Sequence, residues 1–317
     1  MIRILDFCGR HGTAVLAGGI FIGLVVPPLA ALLRPLLSTF VFLLTAATML
    51  GVDWQGLARH LGRPWRLALV IAWTMLGTPV LMAGALRLVV LPPALAKGLV
   101  LWAASPPLIS VPAIAALLGL DPALALLLWA IGTFLMPLTL PPLVLGLIGM
   151  KLDIGMAHFM LNLGLFVGSA ALVAMLARRL VGSERVARHG LAVSGLNVLL
   201  LLLFGIAIMD GMTRTLLARP GEVVLYAAAA TGASVLLQGV SALVFCRFER
   251  RSALTAGLVG GSHNLAIAWA ALGPAQAGEL LLFFATVQVP IFILPALLRP
   301  LYRRLAAAAP ALRVPRP

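Results

Sequence analysis

Residues 257–269 read GLVGGSHNLAIAW and place Ser262, His263 and Asn264 in a row inside an otherwise apolar stretch. A histidine titrates close to neutral pH and is costly in apolar surroundings, so His263 has two expected roles. It either carries a proton or holds an anion, or it hydrogen-bonds a main-chain carbonyl as a paired buried group. Asn264 offers both a donor and an acceptor and is the best single binding candidate. Ser262 and His263 do not make a nucleophile–base pair, because helix neighbours point about 100° apart. With no HExxH run and no GxSxG elbow either, the chain is not expected to be an enzyme. Weaker candidates are Ser110, Thr133 and Gln238, each of which can equally serve as polar glue between helices.

The elements that must position these residues are interrupted. In LVLWAASPPLISVPAIAALLGLDP (99–122), Pro106, Pro107 and Pro112 remove donors and clash with the preceding turn, which predicts unwinding over 106–112. In the second stretch, Gly257, Gly260 and Gly261 precede three poor helix formers. Unpaired main-chain groups in lipid cost several kcal/mol each, so such breaks survive only when buried in protein or lining a cavity. Two breaks meeting near the midplane would offer their half-helix ends to a ligand. Asp121 before Pro122 reads as an N-cap, and Glu279 as a residue at the water boundary.

Bulk properties set the frame. The 317 residues are 62% hydrophobic and only 10% charged, which predicts a chain largely embedded in lipid. Apolar windows long enough for a core of about 30 Å fall near 12–32, 35–51, 67–86, 98–119, 122–147, 155–177, 190–209, 222–245, 252–273 and 277–298. If the N-terminus is cytoplasmic, 17 basic residues fall inside and six outside (Arg34, Arg87, Lys97, Lys151, Arg214 and Arg219), the expected bias for both ends inside. The net charge of +14 sits in short clusters between apolar runs, so nucleic acid is not expected as a partner. Met1–Arg10 reads as leading into a first anchor, and Cys8 and Cys246 as thiols beside cytoplasmic basic segments, with no disulfide, metal site or cofactor implied.

Ten windows divide into five plus five, and an odd number per half forces the second half to enter from the opposite side. The expected fold is all-α and polytopic, ten transmembrane helices in two inverted five-helix repeats, 1–150 and 151–317. The fourth and ninth spans are the broken ones.

GRPWRLALVIAWTMLGTPVLM (62–82), the SPP…GLDPALALLLWAIGTFLMPLTLP stretch and LVGGSHNLAIA together resemble the bile acid:sodium symporter family. The matching positions include Arg63-Pro64, Pro79, Pro106, Thr133, Pro137, Pro141, Gly261 and Asn264. The resemblance implies a panel of spans 1, 2, 6 and 7, a core of spans 3–5 and 8–10 with spans 4 and 9 crossing, and an organic anion bound between panel and core beside two sodium ions. It also exposes departures. Family ion ligands fall on Val259, His263, Val111, Pro112, Ala125 and Trp129, and a third-span glutamine falls on Thr74. Sodium is a hard cation that needs oxygen ligands, which most of these side chains do not supply.

The expected function is therefore secondary transport, by alternating access, of an organic anion or small amphipathic acid, without sodium coupling and either proton-coupled or uncoupled. A transport-inactive membrane sensor of the same fold is the alternative. The partners expected are a small-molecule substrate and the lipid bilayer of the inner (plasma) membrane; oligomeric state has no sequence signal here.

Overall fold

A computed structural model describes residues 12–52, 64–149, 155–272 and 274–307, and every element in them is helical. Cys8, Arg63, Lys151 and the expected boundary between 150 and 151 lie outside the described residues, as do the basic residues at 3, 10, 59, 313 and 316. The helices are α1 (Gly12–Val25), α2 (Pro27–Leu33), α3 (Leu37–Gly51), α4 (Pro64–Ala72), α5 (Thr78–Ala85), α6 (Pro93–Ala104), α7 (Val111–Leu118), α8 (Pro122–Ile148) and α9 (Gly155–Val181). They continue as α10 (Ser183–Arg188), α11 (Gly190–Ile208), α12 (Met212–Ala218), α13 (Pro220–Val244), α14 (Arg250–Gly260), α15 (Leu265–Ala271), α16 (Pro274–Glu279), α17 (Leu281–Thr286) and α18 (Gln288–Ala307).

Among the described residues, seven helical stretches are long and apolar enough to cross a bilayer: 27–51, 64–85, 122–148, 155–181, 190–208, 220–244 and 281–306. The molecule is thus a multi-pass membrane protein. Large apolar side chains such as Phe21, Leu138, Leu165 and Leu243 face outward, as lipid requires. The buried core is a single cluster that takes in Trp102, Trp129, Phe283 and Phe284.

Several boundaries differ from those expected. Before Pro27, Val26 leaves the helical region (ψ 70°), so helix 27–33 runs on through a 3-10 turn at Arg34–Leu36 into α3, and the first break falls earlier than 33–34. Between α4 and α5 the helix widens into a π-turn at Trp73–Gly77 that no residue pattern announced. In the fourth stretch the helix stops at Ala104 and resumes at Val111, so Pro112 lies in the first turn of α7, where a missing N–H costs nothing, and not in the unwound segment. Asp121 does cap α8, its carboxylate accepting from Ala123 N and Leu124 N at 3.0 Å each.

Candidate functional site

The two interrupted stretches meet at their breaks. Leu108 N donates to Ser262 O at 2.8 Å and Asn264 N donates to Pro106 O at 2.7 Å, an antiparallel bridge of one residue pair, Pro107 with His263. Trp102 Nε1 adds a bond to His263 O at 3.1 Å. Broken helices leave carbonyls and amides without intrahelical partners, and here each break supplies partners for the other.

His263 is fully buried, and both ring nitrogens face main-chain carbonyls: Nδ1 lies 2.8 Å from Ser105 O and Nε2 2.9 Å from Gly260 O. Ser105 caps the C-terminus of α6 and Gly260 ends α14. The ring stands edge-on to Trp102, with centroids 5.1 Å apart. The sequence reading expected one main-chain carbonyl as a partner for the ring; the structure places one beside each nitrogen. Asn264 is buried as well and uses its side-chain oxygen to accept from Ala266 N at 3.1 Å, capping α15.

The glycines let the second break sit tight against α13. A Cβ on Gly260 would overlap Ser241, and one on Gly261 would overlap Gln238 and the Ser234 carbonyl, so only glycine permits this approach. Ser234 Oγ donates to Gly261 O, Gln238 Nε2 donates to Ser234 Oγ at 3.3 Å, and Tyr302 of α18 donates to Gln238 Oε1 at 2.8 Å. Gln238 is thereby placed beside the second break as a connector. Ser262 is only partly buried, and Ser110 precedes α7 without capping it through its side chain.

Other candidates sit apart from the bridge or are satisfied locally. Thr133 is fully buried and bonds Trp129 O one turn back at 2.7 Å. Its neighbour Gly132 faces the break, since a Cβ there would come within 2.9 Å of Pro107 Cδ. Thr74, on the π-turn, and Trp129 are fully buried, and Thr74 Oγ1 and Trp129 Nε1 have no hydrogen-bond partner among the described residues. Val259, Val111 and Ala125 are fully buried apolar groups.

A cavity of about 340 Å³ opens between α3, α8 and α9, lined by Met49, Phe134, Ala171, Ala174, Met175 and Arg178. The Arg178 guanidinium bonds the Val52 carbonyl at the end of α3 and makes no salt bridge among the described residues. Helix α15, the second half of the second broken stretch, packs on both α3 and α9, which ties the second break to the cavity walls. Trp102, Ser105 and Arg178 were not among the expected site residues. Ser105 stands directly before the Pro-Pro pair, and its carbonyl could have been found as one left without an intrahelical donor once the helix stops there. Arg178 looked like one more inside charge.

Comparison with known proteins agrees with this architecture. Residues 38–219, more than half of the 317, match the family described as the Sodium Bile acid symporter family. The match spans the first break and stops short of the second. No curated protein matches the chain significantly. With a broken, Pro-rich fourth stretch inside the matched range and an all-helical membrane body around it, the chain belongs to the sodium bile acid symporter family.

Proposed function

We propose that this protein is a secondary transporter that moves an organic anion or small amphipathic acid by alternating access, without sodium coupling. The observation that carries the reading is the reciprocal bridge between the two breaks, Leu108 N to Ser262 O and Asn264 N to Pro106 O. Interrupted helices are tolerated in a membrane where they serve a binding site or its gating, and a bridge of two hydrogen bonds can open and close as one element. The broken pairs also match in size, with helices of 12 and 8 residues at the first break and 11 and 7 at the second. That supports two inverted five-helix repeats, 1–150 and 151–317, with both termini in the cytoplasm of a cell whose inner membrane holds the protein.

In this reading α1 to α3, α9 and α11 form the panel and the remaining long and broken helices the core. The substrate sits in the apolar cavity between α3, α9 and α8, with the Arg178 guanidinium at its rim to meet a carboxylate. Sodium does not fit the crossing. The side chains of Val259, Val111, Ala125 and Trp129 carry no oxygen, and both nitrogens of His263 lie against carbonyls.

The test is a thermal-shift screen of aromatic and aliphatic carboxylates with sodium or choline as the cation, followed by uptake of the best binder into proteoliposomes. Saturable uptake that is equal in both salts is expected. Binding without uptake would make the protein a sensor of the same fold, and uptake only in sodium would overturn the coupling assignment.

A further inference from the structure

The His263 ring has an acceptor on each side. Ser105 O and Gly260 O lie at 2.8 and 2.9 Å from its two nitrogens, inside hydrogen-bonding range, and a main-chain carbonyl can only accept. A neutral imidazole carries one N–H, so one of these contacts would set a nitrogen lone pair against a carbonyl oxygen. The doubly protonated ring donates to both.

The position of the carbonyls strengthens the point. Each belongs to the C-terminal end of a half-helix, α6 and α14, where unpaired carbonyls collect partial negative charge and favour a cation. The ring packs edge-on against Trp102 of α6, and Gly261, two residues back, is bonded through its carbonyl by Ser234 of α13, which is bonded in turn by Gln238, itself held by Tyr302. No carboxylate or basic side chain of the described residues bonds the ring, so the helix ends supply the field. Burial opposes any charge here, and a cation is held only while both ends face it.

We propose that the ends of α6 and α14 form a seat for a monovalent cation, which the chain fills with its own doubly protonated His263 ring. The seat then pins the two breaks together and needs no exchangeable ion. This rests on the crossing being the carrier's centre, yet its test reads folding and protonation and does not depend on flux.

The experiment compares wild type, His263→Ala, His263→Leu and His263→Gln by thermal unfolding in nanodiscs at pH 6, in choline, sodium, ammonium or imidazolium chloride at equal ionic strength. Wild type is expected to melt alike in all four salts. His263→Ala should melt lower by roughly 5 °C or more in choline. Ammonium or imidazolium should restore at least half of that loss by entering the emptied seat. His263→Gln, whose amide brings two N–H donors, should exceed His263→Leu. If His263→Ala does not fold, nitrogen-15 spectra of histidine-labelled wild type at pH 7 decide: the signal missing from His263→Gln must come from a ring with hydrogen on both nitrogens. A single N–H on that ring, a leucine variant as stable as the glutamine one, or an alanine variant indifferent to every cation would overturn the proposal.

Discussion

At the residue scale, Asn264 shows how a plausible ligand can have a local duty first. Its side-chain oxygen caps α15 through Ala266 N, so truncating it removes an N-cap as well as any ligand contact. Asn264→Ala is expected to lose about 1 kcal/mol of stability, and Asn264→Ser, which can cap, to recover most of it in thermal unfolding. If uptake falls in both variants while only the first is destabilised, the amide acts on the substrate. Arg178 allows a sharper division of roles. Its bond to Val52 O fastens α9 to the end of α3, and the residue lines the apolar cavity. Arg178→Lys keeps the charge but loses the planar fork; Arg178→Gln keeps donors but loses the charge. Glutamine should raise the KM for a carboxylate by about tenfold and lysine by less, because the loss is one charge-assisted hydrogen bond of about 1.5–3 kcal/mol. Equal kinetics in all three forms would remove Arg178 from recognition. The sequence pointed to His263 and Asn264 because polar groups stand out in apolar stretches, whereas Arg178 was hidden among many inside arginines. What it touches depends on how α9 packs on α3, which is tertiary information.

At the element scale, the breaks were legible and their edges were not. Pro106 and Pro107 remove donors wherever they stand, so an interruption follows from local chemistry. Whether Pro112 prolongs the gap or starts the next helix depends on the main chain before it, and α7 takes it into its first turn. The π-turn at Trp73–Gly77 left no trace of its own, because Trp73 reaches Ser241 on α13 and that bond forms only in the packed body. Glycines near the second break looked like softeners of the helix, yet the structure uses them for close approach. Gly261→Ala would push a methyl into the Ser234 carbonyl and Gln238, and should destabilise by about 1–3 kcal/mol in thermal unfolding. Gly164→Ala in α9, where a Cβ meets nothing within 4 Å, should be neutral or slightly stabilising. Similar losses from both would show that glycine flexibility, and not packing against α13, sets the stability of the second break.

At the scale of the whole molecule, the proposed inverted repeat makes a claim about sides that the chain itself can report. An odd number of crossings per half would place the first half's entry and the second half's entry on opposite faces, and charge counting predicts that the basic clusters lie inside. Cys246 is free and exposed just beyond α13, in the segment that carries Arg247, Arg250 and Arg251. Val90 is fully exposed between α5 and α6, a segment assigned to the opposite face. In a Cys8→Ser background, Cys246 should therefore react with a membrane-impermeant maleimide only in inside-out vesicles. With Cys246→Ser as well, Val90→Cys should react only in intact cells or spheroplasts. The distance in sequence between the two reporters spans both halves, so their opposition tests the count of crossings between them and not a single loop. Labelling of both from one side would mean an even number of crossings between residues 90 and 246, which two inverted repeats cannot supply, and the crossing of α6–α7 with α14–α15 would then have to bring together helices of the same orientation.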